Sequence, residues 1–449
     1  MGKSTGTREV TGGIALALVL TAIATSTSAA TLTYPGAVPC ATTLQACVTG
    51  ATAGDTIALA TNVPIAEFVT VDKTLTIQPA LGFAPSVQGI FAAVTTTSIS
   101  LTVQNLAGLN TVRTVLAPGG GNLSLTVRNN TINATGFNAG VEFTAGTGAA
   151  GAYGTATAVV SGNTIVMNGS GSCTDAIIID GVPAGFTATV VNNDITVNNL
   201  TQCGGIDVVV GGGAVAPANV DRNRIHGVDF DYGIVIRNFG NNPGQPGGLL
   251  TALVTNNLVY GQNGNTGAPA GLVASADGNN ASLAVQLVNN TVADGRTGTL
   301  ISARTDLGAN ITGGLFNNIV AFNSQTGIGI DTGLPGFVNG FNLTFGNASD
   351  FFVAGSGTIF ADPMFTNRAA GDYTLLRGSP AIDKGLDLAL PASVTIDLAG
   401  NPRRSGPIDV GAYEFFEVHI PTLQPVGLVL LAALVALGFA FSQRRQRSR

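Results

Sequence analysis

A short asparagine phrase recurs along the chain and limits what it can fold into. It reads Arg128-Asn129-Asn130-Thr131-Ile132, Ser161-Gly162-Asn163-Thr164-Ile165, Asn192-Asn193-Asp194-Ile195 and Arg222-Asn223-Arg224-Ile225. It returns as Asn256-Asn257-Leu258-Val259, Asn289-Asn290-Thr291-Val292 and Asn317-Asn318-Ile319-Val320, with weaker copies at Gln104-Asn105-Leu106 and Phe341-Asn342-Leu343. From Asn105 through Asn130, Asn163, Asn193, Asn223, Asn257, Asn290 and Asn318 to Asn342 the intervals are 25, 33, 30, 30, 34, 33, 28 and 24 residues. Periods of this size mark stacked repeats. Alternating residues precede each phrase, as in Leu123-Ser124-Leu125-Thr126-Val127, and period two with β-branched residues means strand. A second strand follows about ten residues on, usually after glycine, as in Gly205-Ile206-Asp207-Val208 and Gly233-Ile234-Val235-Ile236. No helical pattern separates the two. The expectation is an all-β, single-stranded parallel β-helix that winds once per repeat.

The repeated asparagine then has a physical task. At the bend its side chain turns inward and stacks on the asparagine of the next turn, so that each buried amide finds a partner. The predicted ladder comprises Asn130, Asn163, Asn193, Asn223, Asn257, Asn290 and Asn318. The competing reading is a set of exposed turn asparagines, which tolerate left-handed backbone.

Residues 1–30 read as a secretory signal: Lys3 and Arg8, an apolar run from Ile14 to Ile23, then Ser28-Ala29-Ala30 for cleavage. Export permits disulfides. Cys173 lies ten residues after Asn163 and Cys203 ten after Asn193, which predicts a bridge between adjacent turns. Cys40 and Cys47 then pair by exclusion, which requires Cys40 to lie outside the short helix expected over Thr42–Val48. That helix would cap the exposed first turn. The coil is expected over residues 31–360, where charge is sparse and glycine-rich stretches read as protruding loops.

Residues 361–416 carry a different series: Asp362-Pro363-Met364-Phe365, Gly371-Asp372-Tyr373-Thr374-Leu375, Gly378-Ser379-Pro380-Ala381-Ile382-Asp383-Lys384-Gly385, Asp397-Leu398-Ala399-Gly400-Asn401-Pro402-Arg403 and Ile408-Asp409-Val410-Gly411-Ala412-Tyr413-Glu414. This series resembles the C-terminal part of choice-of-anchor Q proteins. The resemblance implies a pectin-lyase-like, right-handed coil for residues 31–416, with this segment as a C-terminal cap, and implies little about activity. In residues 417–449, Ile420-Pro421-Thr422-Leu423 precedes an apolar run from Val426 to Phe441 and then Arg444, Arg445, Arg447 and Arg449. Basic residues after an apolar span keep that end cytoplasmic. The tail resembles IPTL-type sorting signals. That implies an exosortase-type enzyme as partner and a transmembrane helix at the envelope of a Gram-negative bacterium. It departs from the family pattern in carrying Pro425-Val426-Gly427 where Trp-Gly usually stands, and a plain tail anchor is the alternative.

Without the two terminal segments' charges the chain keeps 13 basic and 24 acidic residues, near −11, which opposes nucleic-acid binding. Polysaccharide is the expected extracellular partner, bound or cleaved. Outward positions of the second strand include Glu142, Asp207, Val235, Val273 and Gly329, with Asp180, Arg237 and Asp331 at strand ends. Glu142 and Asp207 fall two turns apart, with Cys173-Thr174-Asp175 between them, and no stacked aspartate pair is expected. The best acid–base candidates are His226, Asp229, Asp231 and Arg237, although a surface turn explains the same residues. No cofactor or metal site is read from the spacing. These features favour a non-catalytic surface, adhesion or glycan-binding protein over a polysaccharide lyase or glycoside hydrolase.

Overall fold

The computed structural model describes residues 2, 28–117, 119–135, 139–145, 154–169, 174–180, 185–211, 215–240, 248–264, 269–417 and 432–437. Almost all of the signal segment and of the sorting tail lie outside this set. So does Cys173, and nothing is described of the Cys203 side chain, so the expected bridge between them falls outside it as well.

The fold is all-β and is dominated by two long parallel sheets of 12 and 17 strands. The chain alternates between them. A strand such as Leu123–Arg128 lies in the first sheet; the chain bends at Asn129-Asn130 and enters the second sheet as Thr131–Thr135. A further strand of the second sheet, Val141–Ala145, completes the turn before the chain returns as Ala156–Ser161, which pairs in parallel with Leu123–Arg128. The strand directly after each asparagine is additional to the two expected from sequence. It forms because the inward Ile or Val after the phrase continues the pleat. Ile132, Ile165, Ile195, Ile225, Val259, Val292 and Val320 pair in one register and are all buried. Identical apolar residues one strand spacing apart, ~4.8 Å, pack directly on one another.

The bend explains why the phrase has two informative positions. The residue before each ladder asparagine is left-handed: φ is 54° at Asn129, 56° at Asn192, 53° at Arg222, 54° at Asn256, and 57° at both Asn289 and Asn317. Asparagine tolerates this region better than most side chains. The next residue then points inward. Asn163 donates from its backbone N and from Nδ2 to Asn193 Oδ1, both at 3.0 Å, and Nδ2 also donates to Val127 O at 3.0 Å. The same pattern runs from Asn130 through Asn163, Asn193, Asn223, Asn257, Asn290 and Asn318 to Asn342. Asn105 does not belong. It holds the left-handed position at φ 60°, and Leu106 points inward, its N–H donating to Asn130 Oδ1. A second, shorter ladder escaped the sequence reading: Gly295 N donates to Asn323 Oδ1, and Asn323 donates to Asn347 Oδ1.

At the N-terminal end the helix spans Leu44–Gly50, capped by the Thr43 hydroxyl accepting from Ala46 N. It covers the open edge of strand Ile65–Val71. Gln45 accepts from Thr70 N and donates to Thr70 O, and the Glu67 carboxylate accepts from Leu44 N and Gln45 N. Unpaired edge groups are thereby satisfied. Cys40, outside the helix, is disulfide-bonded to Cys47.

The C-terminal segment departs from expectation. Residues 361–416 run back along the side of the stack rather than closing its end. Gly371 O accepts from Arg224 Nη2, Tyr373 OH donates to Asp294 Oδ2 at 2.7 Å, and Ala412 N donates to Thr291 Oγ1 at 2.9 Å. Asn317 Oδ1 accepts from Leu386 N. Arg403, fully buried, donates to Asn256 Oδ1, Glu414 Oε2 and Gly411 O. Three left-handed asparagines beside the ladder, Asn256, Asn289 and Asn317, are the dock: their amides bond to the returning chain. Phe365, Tyr373, Leu375, Ala381 and Val410 bury against Leu258, Ala293, Ile319 and Leu343. Among the described residues no helix is long and apolar enough to cross a membrane; of the tail, only residues 432–437 are described, as helix.

Candidate functional site

The residues singled out for acid–base chemistry are not one group. His226 has its Nε2 3.2 Å from Asp194 Oδ1, and its ring stacks on Tyr260 at 5.2 Å between centroids. Asp229 is in a left-handed bend, its N–H donating to Asn263 Oδ1. Asp231 is fully buried beside Gly264. Arg237, on the same strand Arg224–Asn238, has other partners: its Nη2 donates to Asp207 Oδ2 at 2.7 Å, and its guanidinium lies over the Phe239 ring.

Arg237 instead marks the centre of a second constellation. Strand pairing sets Ile178 beside Asp207 and Asp207 beside Val235. Asp175, in the turn before strand Ile177–Asp180, accepts from Gly204 N at 2.6 Å through Oδ1. Asp175 and Asp207 are both buried and interact electrostatically, so an acidic pair exists where the sequence reading expected none. The reason is register. Asp175 lies twelve residues after Asn163 and Asp207 fourteen after Asn193. The same offset arithmetic applied to the cysteines would have brought the two aspartates onto adjacent turns. Glu142 stays apart: its carboxylate pairs with Arg113 at 3.1 Å and accepts from Thr144 Oγ1.

Burial, followed by the Asp207 charge, pushes Asp175 up to about 7. Burial also raises Asp207, to about 6, although the Arg237 guanidinium opposes this. Arg237 is partly desolvated, yet the Asp207 and Asp175 carboxylates hold its pKa above the ordinary value. Burial raises the Tyr232 phenol. Below neutral pH the aspartate pair therefore holds a proton, beside a fixed cation. Two buried polar atoms here make no hydrogen bond, Asp207 Oδ1 and Arg237 Nε, one an acceptor and the other a donor. Next to them Val235, Ala270 and Val273, with Tyr232 and Leu300, form an apolar cluster separate from the main core. Among the described residues no three His, Cys, Asp or Glu side chains converge as metal ligands.

The first sheet carries a groove of about 530 Å³ lined by Thr187, Thr189, Asn219, Thr251, Gln286 and Thr312, among others. No ionisable group lines it, so it offers polar contact without acid–base chemistry.

Compared with known proteins, residues 420–447 match the IPTL-CTERM motif. This is a sorting signal processed by exosortase-like enzymes, and it marks a protein exported to and anchored at the Gram-negative cell envelope. No curated protein matches the chain.

Proposed function

We propose that this chain is an envelope-displayed, right-handed parallel β-helix of the pectin-lyase-like, choice-of-anchor Q type, and that it binds extracellular polysaccharide at Asp207 and Arg237. The coiled reading is supported by the regular return of the chain to the same two parallel sheets. The observation that carries the ligand class is the pair of unsatisfied atoms, Asp207 Oδ1 and Arg237 Nε. A sugar hydroxyl both donates and accepts, so hydroxyls admitted when the Asp207–Arg237 pair opens can satisfy an unpaired acceptor and an unpaired donor alike. The half-buried Tyr232 and Leu300, packed over Val235 and Val273, supply an apolar surface for the ring face beside it. Glycan binding should be measured with an oligosaccharide panel by calorimetry. Asp207→Asn and Arg237→Met should each weaken binding at least tenfold. Unchanged affinity in both would refute the site.

A second reading, catalysis, is favoured by the proton retained on the Asp175–Asp207 pair. A protonated carboxyl can act as general acid and its ionised neighbour as base, the minimum for glycosidic cleavage. Assays for reducing ends and unsaturated products between pH 5 and 8 distinguish the two. Turnover abolished by Asp175→Asn makes the protein an enzyme; binding without turnover makes it a display protein. Retention is expected to depend on the tail: deleting residues 420–449 should release the chain into the medium, and a truncated form as membrane-bound as the full chain would sink the anchor.

A further inference from the structure

We infer that the exit face of the C-terminal segment, formed by Phe360, Met364, Leu376 and Phe416, rests on the lipid surface of the membrane that holds the tail. This inference depends on the anchoring proposed above. Phe360 is 66% exposed, Leu376 43%, Met364 39% and Phe416 38%. They share one neighbourhood. Leu376 N donates to Met364 O, Arg377 is ion-paired with Glu417, and Phe360 precedes Met364 by four residues. The backing of the patch is apolar too, since Ile359, Phe365, Ile382 and Phe415 belong to the cluster joining this segment to the stack. A large apolar patch left in water marks an interaction surface.

The position of the tether selects the occupant. The described residues of the body run to Glu417, beside Phe416 of this patch, and the apolar run begins at Val426. Nine residue steps span at most ~32 Å even fully extended. Once the run enters a bilayer, no part of the patch can move far from the headgroups. Exposed aromatic and aliphatic side chains partition into the interface at the acyl boundary. Residues 409–414 bond to Thr291 and Asn289, just after the tenth of the first sheet's twelve strands, so the tether leaves from the flank near the C-terminal end of the stack.

The chain contains no tryptophan, so each introduced one is a sole reporter. Full-length single-Trp variants Phe360→Trp, Leu376→Trp, Leu434→Trp and Leu81→Trp are reconstituted in phosphatidylethanolamine–phosphatidylglycerol vesicles with brominated acyl chains. Leu434 lies in the tail helix and reports anchoring. Leu81 is fully exposed in a turn nine strand spacings, about 43 Å, from the last strand of the first sheet, and reports non-specific contact. The expected result is at least twofold quenching at 360, 376 and 434, with none at 81. Quenching at 434 alone overturns the proposal but leaves the anchor standing. Loss at 434 as well removes the anchor itself. Blue-shifted but unquenched emission at 360 and 376 also overturns it, in favour of a protein partner or a second copy on this face.

Discussion

Replacing Asn257 by leucine tests the asparagine ladder where it is fully connected. The wild-type amide makes four hydrogen bonds. Oδ1 accepts from Asn223 N at 2.9 Å and Asn223 Nδ2 at 3.0 Å; Nδ2 donates to Val220 O and Asn290 Oδ1, both at 2.9 Å. Leucine is close in size, so the change is chemical rather than a cavity. Asn223 Nδ2 keeps Val190 O, and Asn290 Oδ1 keeps Asn257 N, so neither is stranded. Asn223 N loses its acceptor in a fully buried bend, and Val220 O loses a donor. One orphaned buried group costs about 1–3 kcal/mol, and the second adds part of that. Added apolar burial returns ~1 kcal/mol. The expected net loss is about 2–3 kcal/mol. Asn130→Leu, at the start of the ladder, is the companion variant: it strands Leu106 N and Val103 O, one N–H and one carbonyl as at Asn257. It should cost about as much. Urea unfolding of the full-length protein in mild detergent measures both, and hydrogen exchange at Asn223 N locates the effect, since stacked repeats need not unfold in one step. Equal costs under ~0.5 kcal/mol for the two variants, with Asn223 N still protected, would refute an energetically significant ladder.

The Asp175 pKa lies above its unfolded value, so the folded state holds the extra proton and this group's stabilisation is lost as pH rises from about 4 through about 7. Asp175→Asn keeps an acceptor for Gly204 N, so it should be the more stable protein at pH 8, on the order of 2–4 kcal/mol, with the advantage gone at pH 4; a constant difference across thermal melts at both pH values would contradict this. Arg403→Met should strip Asn256 Oδ1, Glu414 and Gly411 O of their shared donor and cost about 3–5 kcal/mol. The loss should appear as protease cleavage within 361–416 while the coil stays resistant; simultaneous cleavage throughout would argue that the segment is not a separable dock. Replacing Cys40 and Cys47 by alanine opens a short loop and should cost about 2 kcal/mol, as a lowered melting temperature of the N-terminal turns.

The parallel-strand repeat was legible because its constraint recurs. A left-handed residue followed by an inward amide leaves the same two letters at every bend, and Asn129-Asn130, Asn256-Asn257 and Asn289-Asn290 display both. Where another residue fills the left-handed place, as Gly162, Arg222 and Phe341 do, the inward asparagine alone carries the pattern. The second ladder was invisible because its bends read Gly261-Gln262, Asp294-Gly295, Phe322-Asn323 and Gly346-Asn347, with no letter common to all four. The Asp175–Asp207 pair was missed because a two-residue difference in offset hides partners that hydrogen bonding across turns aligns. The path of residues 361–416 was not legible at all. Its contacts, such as Arg403 with Asn256, join residues 147 apart, and nothing in either local phrase names the other.

The lateral dock also imposes an order on events during secretion. Export delivers the N terminus first, and each completed turn offers a template edge to the next. Arg403, Tyr373 and Ala412 have no binding surface until the turns holding Asn256, Asp294 and Thr291 exist. The returning segment therefore closes last, over a long loop whose closure entropy is met by contacts already in place. The sorting tail follows immediately behind it. A chain whose later turns have failed to form thus arrives at the membrane with its final segment undocked and its apolar contact residues, Phe365, Tyr373 and Val410, uncovered. Docking of residues 361–416 therefore requires those turns to be in place before the tail arrives.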